Sequence, residues 1–179
     1  MRLTRPLRLA VLVAAGMFAA GLFSVVLVEK HQAIYASIAR FMGTGQDMGR
    51  IDFATLQRRT TKTDALVCPP ALCARAKPDW DAKTFAVTAA ELRTRVMSIA
   101  LAEPRTGALH CHPPCDGPDR YVQHSSIMRF PDNIDAQILP VGEDKSTIAI
   151  YSRSLLAYHD FGTNRARIAR WLAALQSAP

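Results

Sequence analysis

The chain has 179 residues, of which 49% are hydrophobic and 7% aromatic, and it carries a formal net charge of +7. This length provides for one domain with a single core beside any terminal extension. The basic residues are scattered and the few aromatic residues do not alternate with them, so no nucleic-acid partner is predicted.

The first predicted element is a transmembrane helix at residues 9–28, a stretch without any charged side chain. A helix of this length spans about 30 Å, the thickness of a bilayer's hydrocarbon core. Arg2, Arg5 and Arg8 precede it, so the positive-inside rule places residues 1–8 in the cytoplasm and the bulk of the chain across the membrane. The apolar run is longer than that of a signal peptide and lacks a good cleavage site, which predicts an uncleaved anchor.

A juxtamembrane segment and linker are predicted at residues 29–63, and a single folded domain at 64–179. Apolar residues at helical spacing continue the helix as far as Gly43 and Gly45. Residues 46–63 are polar and basic, with Ile51, Phe53 and Leu56 as their apolar anchor points.

The four cysteines form two close pairs, Cys68 with Cys73 and Cys111 with Cys115. In an oxidising compartment an even cysteine count favours disulfides, and sequence leaves three connectivities open. Zinc is the competing interpretation of the second pair, with His110, Cys111, His112 and Cys115 as ligands. Free or redox-active thiols are the third.

The first element predicted within the domain is a helix. Thr88 and Glu91 have the spacing of a capping box, apolar residues then recur on one face, and Pro104 follows the helix end. A short strand is also predicted around residues 107–112.

Three strands and a second helix follow in the predicted order. A strand at 121–130 leads into a type I turn at 130–133, and alternation from Ile134 predicts a strand up to Pro140. A turn at 142–145 leads to a third strand at 146–154, and the last helix begins near Thr163 as its N-cap. The predicted fold class is α+β, an antiparallel β-meander sheet with helices packed on one face, preceded by one N-terminal transmembrane helix.

Four segments resemble the family known as domain of unknown function 1499. They are CPPALC (68–73), VQHSSIMRFPD (122–132), STIAIYSRS (146–154) and DFGTNRARIARWLAAL (160–175). The resemblance covers roughly residues 51–176 and implies a small bacterial envelope or organelle-associated domain, often behind a single membrane span, with no reaction to transfer. Ala157 stands where the family commonly has glycine, and the CHPPC insert is an elaboration of this chain.

Seven polar residues near the predicted strand ends are the candidate ligand site. Arginine binds carboxylate or phosphate in a bidentate manner, so such a cluster suits an anionic ligand or lipid headgroup. The alternative is a structural role in turns, caps and ion pairs. The seven residues are Arg129, Asp132, Tyr151, Arg153, Asp160, Asn164 and Arg165.

The arginines of the last helix, Arg165, Arg167 and Arg170, are interpreted as a solvated basic flank beside its apolar stripe. Contact of this flank with anionic lipid is the alternative.

The sequence as a whole predicts a non-enzymatic accessory module of the bacterial inner membrane, with its domain in the periplasm and no cofactor. Its expected partners are the membrane, an envelope protein, or an anionic lipid or small molecule. Two alternatives remain open: a metal- or thiol-dependent enzyme that uses the Cys/His loop at 110–115, and a lipid-binding module.

Overall fold

A computed structural model of the protein describes residues 47–109, 117–127, 129–155 and 159–177. No helix in these ranges has the length and apolar character needed to span a bilayer. The predicted anchor at 9–28 and the juxtamembrane helix lie outside the described residues.

The described chain folds into one seven-stranded sheet and two helices, which confirms the predicted α+β class. Strand order is β2-β1-β7-β6-β5-β4, and β3 also pairs with β7. The elements are β1 (Asp64–Cys68), β2 (Trp80–Asp81), β3 (Thr84–Phe85), α1 (Ala89–Ala102), β4 (Thr106–Ala108), β5 (Asp119–His124), β6 (Pro131–Pro140), β7 (Ser146–Ser154) and α2 (Thr163–Ser177).

The predicted β-meander is present as β5-β6-β7, but the sheet is not antiparallel throughout. Strands β1 and β2 pair in parallel, which makes it a mixed sheet. Sequence analysis did not predict β1, β2 or β3. In β1 only four apolar residues follow Asp64, and β2 and β3 have two residues each, so none of them has a usable period.

The type I turn predicted at 130–133 is wrong. Pro131 is the first residue of β6, a position where a strand tolerates a residue without a backbone N–H. Asp132 and Asn133 are already strand residues and pair with Gln123 and Val122 of β5. The chain instead reverses direction between Ser125 and Phe130, before β6 begins. The backbone N–H of Phe130 donates to Ser125 Oγ over 3.0 Å, and the N–H of Ser125 donates to the Phe130 carbonyl over 3.0 Å.

The cap predicted for α1 is confirmed, since Thr88 Oγ1 accepts from the backbone N–H of Glu91 over 3.2 Å. For α2 the cap is Asp160 rather than Thr163. The Asp160 carboxylate accepts from the N–H of Gly162 over 2.9 Å and from that of Asn164 over 3.1 Å. These amides have no partner within the helix, so the carboxylate satisfies them.

Both helices pack on the same face of the sheet. The main core there joins them to β1, β5, β6 and β7, with Leu92, Ile134, Ile150, Ile168 and Trp171 among its buried residues. The opposite face is covered by irregular chain. Phe53 and Leu56 are buried there beside the loop between Cys68 and Cys73, so part of the predicted linker contributes to a second, smaller core.

Candidate functional site

A buried polar network lies between helix α2 and the sheet, with Arg167 at its centre. This residue is 1% exposed. Its guanidinium donates to four side-chain oxygens: Gln123 Oε1 at 2.6 Å, Ser152 Oγ at 2.7 Å, Asn164 Oδ1 at 2.5 Å and Asp132 Oδ2 at 2.7 Å. The network therefore ties the helix to three strands.

Two of the predicted site residues, Asp132 and Asn164, belong to this network. Asp132 also accepts from Ser154 Oγ over 2.6 Å, and Asn164 Nδ2 donates to that same hydroxyl over 2.9 Å. Asp160 joins it at the edge, because its carboxylate accepts from Asn164 Nδ2 over 2.9 Å. These groups face one another inside the protein, so their arrangement fits a structural role.

Arg153 and Tyr151 lie on the opposite face of the sheet, away from that network. Tyr151 donates its hydroxyl to Asp64 over 2.5 Å, and burial raises the pKa of its phenol. Arg153 donates to the Gly49 carbonyl over 2.7 Å and lies 3.5 Å from the carboxylate of Asp135.

Asp135 is fully buried between two arginines. Arg120 donates to its Oδ1 over 2.9 Å, while its Oδ2 and Nε of Arg153 are the buried side-chain atoms of the described chain that lack a hydrogen-bond partner. Burial raises the pKa of the Asp135 carboxyl, and burial lowers the pKa of the Arg153 guanidinium. Asp47 closes the cluster from outside through a bidentate pair with Arg120, which lowers the pKa of the Asp47 carboxyl. Asp135 is 0% exposed in this arrangement, so its carboxylate does not line a surface site.

An open cleft of about 510 Å³ lies where β1 begins, beside the first turn of α2. We call it the basic cleft. Its charged lining consists of four cations, Arg58, Arg59, Lys62 and Arg165, and three carboxylates, Asp64, Asp79 and Asp160. A second groove continues it past Arg58 and Asp79 and adds Arg75 and Lys77, so basic residues outnumber acidic ones two to one along the whole surface.

Every carboxylate of the basic cleft already has partners. Arg58 pairs with Asp64 at 2.7 Å and with Asp79 at 3.0 Å, and Arg165 pairs with Asp79 at 2.8 Å. Asp160 caps α2, which also means that the helix amides are occupied. Because these carboxylates and the Gly162 and Asn164 amides are already bonded, an incoming anion would be held by the cationic side chains of the cleft.

Two cations of the cleft are not neutralised in this way. Arg59 donates to the Ser154 carbonyl over 3.3 Å, and within the described chain neither Arg59 nor Lys62 lies in an ion pair. Both side chains are exposed. Arg165 lies next to them, with its guanidinium carbon 4.4 Å from the centre of the Trp80 ring and its side chain 57% exposed. Arginine and lysine in this arrangement bind phosphate or carboxylate.

The structure thus separates the seven predicted residues into four groups. Asp132, Asn164 and Asp160 form one connected set, Tyr151 and Arg153 lie on the other face, Arg165 lines the basic cleft, and Arg129 is exposed in the loop before β6. Sequence reasoning missed Arg58, Arg59 and Lys62, which stood in the predicted linker. The available signal was the cluster of basic residues just before β1, since residues that precede a strand lie at the end where that strand begins.

Zinc ligation by the second cysteine pair is not tested, because His110, Cys111, His112 and Cys115 lie outside the described residues. Among the residues with described positions there is no cluster of three or more His, Cys, Asp or Glu side chains able to hold a metal ion. The first pair is a disulfide between Cys68 and Cys73, with the two Cα atoms 6.1 Å apart, as one of the predicted pairings requires.

Residues 63–175 match the sequence model of a family described as protein of unknown function, DUF1499. No curated protein matches the chain. The matched range contains the whole sheet, helix α1 and all but the last two residues of helix α2. Of the charged residues of the basic cleft it includes Asp64, Asp79, Asp160 and Arg165 but not Arg58, Arg59 or Lys62.

Proposed function

The chain belongs to the DUF1499 family, and from its own site we propose that it is a membrane-anchored, non-enzymatic module that binds a phosphate- or carboxylate-bearing ligand in the basic cleft. The observation that carries this proposal is the pair Arg59 and Lys62, two exposed cations without a carboxylate partner beside the partly exposed Arg165. An anion between them gains charge-assisted hydrogen bonds that the free protein does not make.

The rest of the cleft supports binding rather than a reaction. Its carboxylates are held in ion pairs or in a helix cap, so none is placed as a free general base. The Arg167 network and the Cys68–Cys73 disulfide fix the elements that border the cleft. A rigid frame of this kind lowers the cost of ordering the site when a ligand binds.

Isothermal titration of the full chain in neutral detergent with inorganic phosphate, and then with glycerol phosphate, tests the proposal. Replacing both Arg59 and Lys62 with Gln is expected to weaken binding about tenfold or more, because a hydrogen bond to a charged group contributes about 1.5–3 kcal/mol. Lys145→Gln is the matched control, since Lys145 is exposed in the turn at the opposite end of the sheet. Unchanged phosphate affinity in the double variant would refute anion binding in the basic cleft.

The ligand's source is distinguished in the same experiment. Vesicles of phosphatidylglycerol that displace bound phosphate indicate a lipid headgroup, whereas vesicles that leave it bound indicate a free phosphorylated or carboxylated molecule.

The proposed location is the bacterial inner membrane, with residues 1–8 in the cytoplasm and the domain in the periplasm. Its support is the uncharged run at 9–28 with arginines on one side only. A reporter that fluoresces only in the cytosol, fused after Pro179, is expected to stay dark. Bright cells would contradict the anchor's orientation.

A further inference from the structure

One end of the sheet collects four chain segments, and we call their surface the loop end. His124 pairs with Pro131, Asp132 with Ser154, and Asp64 with Arg153. The chain therefore leaves β5 and β7 at the same end where it enters β1, β4 and β6. The loop end consists of residues 58–63, 103–105, 124–127 with 129–130, and 159–162.

Two large apolar side chains project from the loop end into solvent. Phe161 is 99% exposed and Ile127 is 73% exposed, the two highest values among the exposed large hydrophobic residues of the described chain. They come from different loops, so each is a single apolar tip rather than part of a contiguous apolar face. A partner that covers them removes two large apolar side chains from water.

Exposed cations surround these tips. Arg59, Lys62, Arg105 and Arg129 are all exposed at the loop end. The nearby acids are engaged, Asp160 as the cap of α2 and Glu103 in an ion pair with Arg170 at 3.0 Å. The surface is therefore positive around its apolar tips.

Backbone strain is concentrated at the same place. The described non-glycine residues with positive φ are Arg105 at 60°, Arg129 at 56° and Phe161 at 51°. The left-handed region costs an ordinary residue about 1–2 kcal/mol. Strain of this kind clusters at functional surfaces, and here it sets the direction of one apolar tip and two cations.

We propose that the loop end docks on the anionic surface of the membrane that anchors the chain. Phe161 and Ile127 enter the boundary between headgroups and acyl chains, while the four cations contact lipid phosphates. This inference rests on the proposed membrane anchor, and it names the anionic lipid headgroup as the ligand of the basic cleft, which opens beside the loop end.

Charge complementarity supports this occupant. Arg59, Lys62, Arg105 and Arg129 are exposed around the two apolar tips, and an anionic lipid surface offers phosphates to all four.

Tryptophan quenching by brominated lipid measures the insertion. The full chain carries Phe161→Trp, Ile127→Trp or Val141→Trp and is reconstituted into phosphatidylglycerol vesicles with brominated acyl chains. Val141 is the matched control, because it is 47% exposed in the turn at the opposite end of the sheet. The wild-type chain gives the background from Trp80 and Trp171.

The added tryptophan at 161 and at 127 is expected to lose fluorescence, and that at 141 to keep it. Arg129→Glu in the Phe161→Trp chain is expected to reduce the loss, and so is brominated phosphatidylcholine. Equal quenching at 161 and 141, or equal quenching in both lipids, would overturn the docking proposal.

Phosphate binding in the basic cleft can fail or hold independently of membrane docking by the loop end. Arg129 does not line the basic cleft, so Arg129→Glu leaves phosphate binding in place if the proposed function holds. Phosphate binding without quenching at 161 would overturn the docking surface alone. A chain that fails to float with the vesicles would overturn both the anchor and the docking.

Discussion

Arg167 and Asp132 form an ion pair inside the core, with Nη2 of the arginine 2.7 Å from Oδ2 of the aspartate. The pair joins the fifth residue of helix α2 to the second residue of strand β6, and both residues make further hydrogen bonds to buried side chains. Because the neighbouring polar side chains also have hydrogen-bond partners, this ion pair fixes the position of the helix along the sheet.

Arg167→Met is expected to lower the free energy of unfolding by about 3–5 kcal/mol, because it leaves the Asp132 carboxylate buried without its counterion. Urea unfolding followed by circular dichroism measures this. Arg170→Met is the control on the same helix. Its side chain is 55% exposed and pairs with Glu103, so the loss of this pair is expected to cost less than about 1 kcal/mol.

Adding Asp132→Asn to Arg167→Met is expected to recover part of the lost stability, since the uncompensated charge is removed. Equal effects of Arg167→Met and Arg170→Met would show that the pair is solvated rather than buried.

The disulfide between Cys68 and Cys73 closes a loop of sequence separation 5. Chain entropy alone predicts a contribution of about 2 kcal/mol for so short a loop. The double variant Cys68→Ala/Cys73→Ala is therefore expected to unfold at lower urea concentration with an unchanged slope.

Peptide mapping of unreduced protein checks the bond directly. It should release a fragment that contains both cysteines with neither thiol alkylated. Alkylation at Cys68 or Cys73 without reduction would contradict the bridge.

His124, at the end of β5, makes the stability of the domain depend on pH. Burial lowers the pKa of its imidazole below the usual value of 6.5, and the charge of Arg129 acts in the same direction. The unfolded chain then binds a proton more readily than the folded one. Stability that is present above pH 6.5 is lost as the pH falls through the folded-state pKa.

His124→Gln is expected to flatten this decline between pH 7.5 and pH 5, and Arg129→Gln is expected to make it shallower. Urea midpoints over that range provide the measurement. A wild-type midpoint that rises on acidification would contradict the sign.

Local patterns predicted both helices and the strands of the β-meander, but not β1, β2 or β3. The Thr88–Glu91 spacing gave the start of α1, and the alternation from Ile134 to Ile138 gave the middle of β6, because both signals lie within a few residues. The turn at 130–133 failed for the opposite reason. Proline, aspartate and asparagine are typical of turns, but pairing with β5 and β7 on both sides outweighs that preference.

Arg167 was interpreted as part of a solvated basic flank, and this was wrong, since the residue is 1% exposed. A charged residue on a helix is usually exposed, and three of the four partners of Arg167 come from strands that are distant in sequence. The spacing of Asn164, Ile168, Trp171 and Leu175 does place Asn164 on the buried stripe. A polar residue in that stripe was the available sign of a polar network. The basic cleft was beyond sequence analysis, since its cations and its carboxylates meet only when β1 and α2 are assembled.

Phosphate binding in the basic cleft is tested most directly by nuclear magnetic resonance of the full chain in detergent. Titration with inorganic phosphate is expected to shift the backbone amide signals of residues 58–62 and 160–165, and to leave those of residues 141–145 in place. Shifts confined to other parts of the domain, or none at all, would contradict the account.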